Sequence, residues 1–308
     1  MRAPELTVDD IYEILGTNKS IISELEYEDR GGQKTVYTCK IDDEKYALKF
    51  CDVTEVESKE SFYEPEQLES DQSDNEVLSR AKREIDIMQR VDSPTLVKIG
   101  PIGLNLAEVR DRKILYFSEE YINGADLHKV LTQGRMSFNQ IIDLAIDITI
   151  AIQKLWDIKM VHRDIKPKNI MRKDDGSYVL LDTGIAFDVQ GETLTAAFHL
   201  VGSQIYMSPE QLSGYRRELD FRSDLFLLGI VLYEALTGRH PFFERGLNTY
   251  QIVANISSSK LVIPSEIITD TPQKLERVIL RLLAKEPHLR YKTCDQLLKQ
   301  LYILKEVL

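Results

Sequence analysis

One stretch of the chain, residues 160 to 170 (Met-Val-His-Arg-Asp-Ile-Lys-Pro-Lys-Asn-Ile), restricts the possible folds more than any other. It places a carboxylate (Asp164), a lysine (Lys166) and an amide (Asn169) close together in the sequence. Pro167 lies among them, and proline lacks the backbone N–H that a continuous helix or strand would use. We therefore predict a loop that presents three polar side chains together.

These three side chains suit the transfer of a phosphoryl group from a metal nucleotide. Asp164 can orient an attacking hydroxyl and accept its proton, and Lys166 can offset charge on the moving phosphoryl group. The amide oxygen of Asn169 can help to hold a hard cation. Taken alone, the stretch also fits a charged surface loop without catalytic function, because short motifs recur by accident.

Composition narrows the class of protein. Of 308 residues, 43% are hydrophobic and 29% are charged, which is ordinary for a globular protein of about two domains. The 39 basic and 50 acidic residues give a net charge of −11, which argues against nucleic-acid or anionic-membrane binding by bulk electrostatics. The three cysteines, Cys39, Cys51 and Cys294, lack the spacing of a zinc site or a disulfide framework. We predict reduced thiols.

The sequence also bears on location. The first ten residues contain no apolar signal-peptide region. The longest apolar stretch, near 225 to 236, contains Gly229 and Glu234 and is too short to span a bilayer. We therefore predict a soluble, cytoplasmic protein that does not insert into a membrane, and the sequence leaves its oligomeric state open.

The first part of the chain is predicted to form a sheet preceded by a short helix. Residues 7 to 16 suit a helix that Thr7 caps and Gly16 ends. Alternating apolar residues predict strands over 20–29, 35–42, 45–50, 96–106 and 113–121. Residues 52 to 76 carry ten acidic residues and one basic residue, which favours a solvated insertion over the alternative, a docking strip for a basic partner.

Residues 160 to 170 resemble the catalytic loop of eukaryotic-type (Hanks-type) serine/threonine protein kinases, in which His162-Arg163-Asp164 is followed by Asn169. Other parts of that family's pattern occur in order over about residues 20 to 305. They are Lys49 in Tyr46-Ala47-Leu48-Lys49, Glu84 in a charged helical stretch, Asp182-Thr183-Gly184, Ser208-Pro209-Glu210 and Arg290.

The resemblance implies a set of nucleotide contacts. Lys49 would bind the α- and β-phosphates and pair with Glu84, and the backbone of the stretch 120–124 would hold adenine. Asp126 matches a position that contacts ribose or a basic substrate residue. The predicted nucleotide-binding residues are Gly31, Val36, Ala47, Lys49, Glu84, Glu120, Ile122 and Asp126.

Three positions depart from the family's pattern. Of the three glycines expected before Val36, only Gly31 is present, and an ordinary hairpin is the alternative to a phosphate clamp. Glu119 puts a carboxylate where the family usually has an apolar or hydroxyl side chain. Burial of that carboxylate would be costly without a partner, so either it is paired or the register is off by one. Thr183 replaces the usual phenylalanine and is expected to loosen the coupling between the Glu84 helix and activity.

The second part of the chain would supply the remaining functions. Residues 137 to 159 are predicted to form a long buried helix that leads into the catalytic loop. By resemblance, Asn169 and Asp182 would bind magnesium, and Asp224 would hold the catalytic-loop backbone. Glu210 would pair with Arg290.

Three hydroxyl residues of the second part remain. Thr193 and Thr195 are candidate phosphoacceptors, with unmodified loop hydroxyls as the alternative. By resemblance, Ser203 matches a position that carries a hydroxyl in serine/threonine kinases, and together with Lys166 it favours serine or threonine over tyrosine as the substrate acceptor.

The sequence thus predicts an α+β, bilobal kinase-like fold. Its parts would be a helical extension (1–19), a β-rich lobe (20–122, with the acidic insertion 52–76) and a mostly helical lobe (123–308). The expected activity is that of a non-specific serine/threonine protein kinase that uses ATP and Mg²⁺, modifies protein substrates and phosphorylates its own activation segment. The alternatives are a nucleotide-binding pseudokinase or scaffold with weak or no transfer, and a small-molecule phosphotransferase.

Overall fold

A computed structural model describes residues 3–31, 34–54, 85, 91–181, 205–213, 219–244 and 246–308. These residues form two compact units. Those of the first unit lie within Met1–Asp92 and Lys98–Tyr121, and those of the second within Ser93–Val97, Ile122–Ala186 and Gln190–Leu308. The predicted domain limits at residues 19 and 122 stay predictions.

Several predictions concern residues outside this part of the chain. They are those for Glu84, Asp182, Thr183, Gly184, Thr193, Thr195, Ser203 and the acidic insertion beyond residue 54.

The first unit is built on a five-stranded antiparallel sheet with the order β1-β2-β3-β5-β4. Its strands are β1 (Ser23–Gly31), β2 (Lys34–Ile41), β3 (Glu44–Asp52), β4 (Asn105–Val109) and β5 (Arg112–Glu120). Two of its tight turns place Asp42, Asp43, Arg110 and Asp111 at positive φ, as the favoured two-residue hairpin turns require.

The predicted strand over residues 96–106 is wrong. The strand in that region, β4, begins only at Asn105. Gly100, Pro101 and Gly103 explain the difference, because proline cannot donate to a ladder and glycine weakens a strand. The preceding residues contribute only isolated bridges, such as that between Ile99 and Glu119.

Helix α1 (Val8–Leu15) belongs to the hydrophobic core of the first unit. The predicted cap is confirmed: the Thr7 side chain accepts from the Asp10 N–H, and Gly16, at φ 50°, ends the helix. Ile11 and its apolar neighbours pack with residues of β2, β3 and β5 that share one face of the sheet. The buried members of this cluster are Ile11, Ile14, Leu15, Tyr37, Cys39, Ile41, Leu48, Phe50, Ile102, Val109, Ile114 and Tyr116.

The second unit is mostly helical, with one three-stranded antiparallel sheet of order β6-β7-β8. Its strands are β6 (Gly124–Asp126), β7 (Ile170–Lys173) and β8 (Tyr178–Leu180). Its helices are α2 (Leu127–Thr132), α3 (Phe138–Asp157), α4 (Pro209–Leu212), α5 (Phe221–Thr237), α6 (Thr249–Ser258), α7 (Pro264–Ile267), α8 (Gln273–Leu282) and α9 (Cys294–Lys305). The predicted α+β class is confirmed.

Helices α3 and α5 form the centre of the second unit. Helix α3, predicted over 137–159, begins with a capping box between Ser137 and Gln140. Helix α5 is buried along almost its whole length. Gly229 lets α5 lie close to α8, since a Cβ there would stand 2.8 Å from the Leu282 Cβ. Helix α5 also carries Asp224, whose carboxylate contacts the backbone of residues 162 and 163.

Two of the three cysteines are unreactive thiols. Cys39 and Cys294 are free thiols, as predicted, and both are buried. Burial raises the pKa of Cys39 to about 11 and that of Cys294 to about 12, so neither is a reactive thiolate near neutral pH.

Among the described residues, no helix is both long and apolar enough to cross a membrane.

Candidate active site

The stretch that follows α3 forms the predicted loop. Helix α3 ends at Asp157, and residues 160–166 have neither helical nor strand structure. A single 3₁₀ turn then runs over Pro167–Asn169, with Pro167 at its first position, where the missing N–H costs nothing. Strand β7 starts directly afterwards at Ile170.

Asp224 of α5 holds the backbone of this loop, which confirms its predicted function. Its two carboxylate oxygens accept from the N–H groups of His162 and Arg163, each at 2.8 Å. Arg163 has φ 69°, a conformation that a non-glycine residue adopts only when its surroundings enforce it. Burial raises the pKa of Asp224, although the charges of His162 and Arg163 and the two backbone hydrogen bonds oppose that rise.

The three predicted polar side chains converge within the loop. Lys166 Nζ lies 2.8 Å from Asp164 Oδ1 and 2.7 Å from Oδ2. Asn169 Nδ2 donates to the Asp164 backbone oxygen and to Oδ2, both at 2.8 Å. The Asp164 side chain is still 27% exposed, so a hydroxyl group can reach the fixed carboxylate.

The same arrangement suits a hard cation beside Asp164. Asn169 donates through its nitrogen, so its side-chain oxygen is the atom left to bind a cation. Mg²⁺ prefers oxygen ligands and usually combines one or two protein groups with waters and substrate phosphates. Within the described ranges, no three His, Cys, Asp or Glu side chains cluster to hold a metal by themselves. A magnesium ion shared with nucleotide phosphates does not need such a cluster.

His162 has a positioning function that the sequence did not reveal. Its Nδ1 accepts from the Asp164 N–H at 3.3 Å, so its Nε2 carries the proton and donates to the Leu181 oxygen at 2.9 Å. The ring thus ties the catalytic loop to the residue that precedes Asp182. In the sequence, His162 is recognisable only as part of the motif, and its neighbours give no further signal.

Gln211 is a second residue that sequence reasoning missed. Helix α4 begins with a capping box between Ser208 and Gln211, and the Gln211 amide also donates to the Arg163 oxygen at 2.9 Å. The spacing Ser-Pro-Glu-Gln could have indicated the capping box. It could not have indicated the contact with the loop.

Glu210 and Arg290 form the predicted buried ion pair. Arg290 Nη1 and Nη2 lie 2.6 and 2.9 Å from the two Glu210 oxygens, and Ser223 Oγ donates to Glu210 Oε1 at 2.6 Å. Burial alone would raise the pKa of Glu210, but the hydrogen bonds and charge of Arg290 and the Ser223 hydroxyl together lower it. The pair fastens α4 to the chain that follows α8.

In the first unit, three of the predicted nucleotide-binding residues share one face of the sheet. Val36 lies opposite Lys49 in the β2–β3 ladder, and Ala47 is two residues from Lys49 along β3. Gly31 lies opposite Lys34 at the end of β1. The two strands therefore extend beyond the predicted ranges 20–29 and 35–42, into the stretch between them.

Glu119 of β5 also lies on this face, opposite Ala47. It forms an ion pair with Lys49, and both side chains are buried. The carboxylate that appeared costly in the sequence is therefore paired, and no change of register is needed to explain it.

The other predicted nucleotide-binding residues already have structural contacts. The Glu120 carboxylate accepts from the Lys98 N–H at 2.9 Å. Asp126 caps α2 by accepting from the Lys129 N–H at 2.8 Å. An aspartate directly before a helical stretch could have predicted that cap. Ile122 is partly buried at the start of the second unit.

Comparison with known proteins gives a family match over most of the chain. Residues 30–303 match the family model described as "Protein kinase domain". The matched range includes the catalytic loop, the Lys49 strand, Asp224 and the ion pair between Glu210 and Arg290.

Curated relatives point to the same family. A probable serine/threonine-protein kinase of Clostridium acetobutylicum is 35% identical over 75% of this chain and 34% of its own length. The serine/threonine-protein kinase PrkC of Bacillus subtilis is 33% identical over 73% of this chain and 33% of its own length. PknB of Mycolicibacterium smegmatis is 31% identical over 71% and 34%, respectively. The chain therefore spans about a third of the length of these relatives.

Proposed function

Since the chain belongs to the protein kinase domain family, we propose that it transfers the γ-phosphate of ATP to serine or threonine hydroxyls of protein substrates. The observation that supports this most is the convergence of Lys166 and Asn169 on the Asp164 carboxylate. The names of the relatives support serine or threonine as the acceptor. We include Thr193 and Thr195 of the chain itself among the acceptors.

Asp164 orients the attacking hydroxyl and takes up its proton. The hydroxyl oxygen forms a bond to the γ-phosphorus while the bond to the β-phosphate bridging oxygen breaks, and ADP leaves. The ammonium group of Lys166 lies beside Asp164, where it offsets negative charge on the transferred group. Asp224 and His162 keep the loop backbone in place, so that little reorganisation is needed during transfer.

Lys49 steadies the α- and β-phosphates of the nucleotide, and residues 120 to 122 hold adenine through backbone groups. Asn169 and Asp182 would hold magnesium together with the phosphates. When bound, the ion neutralises charge on the phosphate oxygens. The chemistry of the Asn169 oxygen supports this assignment.

The cellular setting is a further part of the proposal. We place the domain in the cytoplasm because Cys39 and Cys294 are buried thiols and not disulfides. The net charge of −11 supports protein substrates over nucleic acid as partners.

The test is phosphate transfer by the wild-type chain and by Asp164→Asn, with mass spectrometry of the modified residues. We expect transfer by the variant to fall about 10²–10⁴-fold, the usual contribution of a general base, while ATP binding is retained. Asp157→Asn is the matched control, since Asp157 is an exposed carboxylate at the end of α3. It should transfer phosphate at the wild-type rate.

Three outcomes would contradict the proposal or its mechanism. ATP binding without transfer by the wild-type chain would indicate a scaffold, and transfer only to metabolites would indicate a small-molecule phosphotransferase. Equal activity of Asp164→Asn and the wild type would remove Asp164 from the mechanism.

A further inference from the structure

Lys49 and Glu119 form a buried pair of opposite charges inside the first unit. Lys49 is 6% exposed and Glu119 is 1% exposed, and their side chains are in direct contact. A charge is buried at this depth only when a partner compensates for the lost water. Each of these two residues is such a partner for the other.

The register of the sheet brings them together. Lys49 lies opposite Phe117 in the ladder between β3 and β5, and Glu119 is the next residue of β5 on the same face. Diagonal neighbours of this kind are close enough for long side chains to meet. Because β3 and β5 are adjacent strands of one sheet, no movement of another element is needed to form the pair.

The pair is incompletely satisfied on the carboxylate side. Glu119 Oε1 is buried and has no hydrogen-bond partner among the residues that the structure describes. A pair that served stability alone would be expected to satisfy both oxygens, since an unpaired buried acceptor lowers stability. An apolar pair of similar volume would often be at least as stable at this place. A function other than stability therefore accounts better for the two charges.

We propose that Glu119 is a positioning residue for Lys49. It supplies a counterion from within the sheet, which directs the Lys49 ammonium group toward the place where it meets nucleotide phosphates. This inference rests on the proposed function, because it assigns Lys49 to the phosphates of ATP. In the family's pattern a helix residue, Glu84 here, is the partner of this lysine, whereas Glu119 would hold Lys49 through the sheet itself.

The test measures the dissociation constant of Mg·ATP for the wild type and for Glu119→Gln. Glutamine keeps the shape of the side chain but removes its charge. We expect the dissociation constant to rise at least about tenfold, equivalent to the loss of about one charge-assisted hydrogen bond. Glu108→Gln is the control, because Glu108 is an exposed carboxylate of the same sheet, and it should bind as the wild type does.

A double-mutant cycle separates positioning from a general structural effect. In a Lys49→Met background, Glu119→Gln should change Mg·ATP binding less than twofold, because the residue that it positions is absent. An equal loss in both backgrounds would show that Glu119 acts without Lys49 and would overturn the inference. Unchanged or tighter binding by Glu119→Gln in the wild-type background would overturn it as well. Tighter binding would mean that the carboxylate competes with the phosphates for Lys49.

A second variant covers a failure of Glu119→Gln to fold. Glu119→Asp keeps the charge on a shorter side chain, and we expect binding between that of the wild type and that of Lys49→Met. Wild-type binding by Glu119→Asp would contradict a positioning function. Phosphate transfer by the wild type is measured first, and its absence would refute the proposed function. Transfer by the wild type together with unchanged Mg·ATP binding by the Glu119 variants would refute this inference alone.

Discussion

The two units each contain a buried pair of opposite charges, and the two pairs are built differently. In the second unit, Arg290 contacts both oxygens of Glu210 and also donates to the backbone oxygens of Ala284, Lys285 and Arg222. In the first unit, Glu119 contacts Lys49 through Oε2, and no described residue donates a hydrogen bond to its Oε1.

This difference separates a pair that holds the fold from a pair that serves a ligand. Arg290 joins segments that are far apart in the sequence, and its donors are matched by acceptors. The pair formed by Lys49 and Glu119 joins two strands that the sheet already holds together. Loss of the pair formed by Glu210 and Arg290 should therefore lower stability, and loss of the pair formed by Lys49 and Glu119 should weaken nucleotide binding.

The largest effect is expected for Glu210→Gln. The change leaves the Arg290 guanidinium, which is 1% exposed, without its carboxylate. Breaking a buried pair in this way should lower the free energy of unfolding by about 3–5 kcal/mol. Trp156, the single tryptophan, lies on α3 with its ring 5.4 Å from that of Phe221, so its fluorescence during denaturation reports on the second unit.

Lys305→Gln is the control for this measurement. It breaks the ion pair between Lys305 and Asp143 in the second unit, whose side chains are 55% and 38% exposed, and exposed pairs contribute little. The denaturation midpoint of this variant should match that of the wild type. If Glu210→Gln also left the midpoint unchanged, the pair in the second unit would not be structural.

The second largest effect is expected on the opposite face of the first unit's sheet. Ile11 of α1 is 0% exposed within the core of that unit. Ile11→Ala should lower the stability of the first unit by about 3 kcal/mol because it leaves a cavity. Hydrogen exchange of the β2, β3 and β5 amides would measure this loss. Val8→Ala changes an exposed residue of the same helix and should leave exchange unaltered.

Much of the fold followed from the sequence because its signals are local. Thr7 and Gly16 mark the ends of α1, and Ser137 begins the amphipathic helix α3. The contacts of Asp224 and Arg290 were also predicted, but from the resemblance to a family. The prediction of a strand over 96–106 was wrong. Apolar residues alternate there, but glycine and proline prevent a regular ladder.

The pairing of Lys49 with Glu119 could not be predicted from local pattern. It depends on the register of β3 against β5, and a long stretch of sequence separates the two strands. The sequence indicated only that a buried Glu119 would need a partner. Likewise, the capping residues of the stretch 7–16 predicted a helix but not the face of the sheet that α1 covers.

A smaller effect is expected from mild acid, which should act on the second unit. All five histidines of the chain lie beyond residue 122. Burial lowers the pKa of His240 from its ordinary 6.5 to about 4. The unfolded chain therefore binds a proton at this residue between those values and the folded chain does not. The contribution of neutral His240 to the free energy of unfolding is present above pH 6.5 and is lost as the pH falls. The free energy of unfolding should therefore drop by about 2 kcal/mol between pH 7 and 5.

The control for this pH dependence is His240→Asn. Asparagine can still accept from the Phe242 N–H, which donates to His240 Nδ1 at 3.1 Å. The variant should lose about 2 kcal/mol less than the wild type between pH 7 and 5, as read from Trp156 fluorescence. Glu210 should stay charged in this range, because its pKa lies below its ordinary 4.5. An equal pH dependence in both proteins would show that His240 does not titrate as its burial predicts.

The smallest change in stability is expected when both members of the pair formed by Lys49 and Glu119 are replaced. The double variant Lys49→Met/Glu119→Met replaces the pair by apolar side chains of similar length, and the free energy of unfolding should stay within about 1 kcal/mol of the wild type. Mg·ATP binding should nevertheless weaken to the level of the single variant Lys49→Met. The matched double variant Glu210→Met/Arg290→Met should be clearly less stable, because it leaves the oxygens of Ala284, Lys285 and Arg222 without their donor. Equal losses of stability in the two double variants would mean that both pairs serve the fold, and the distinction between them would fail.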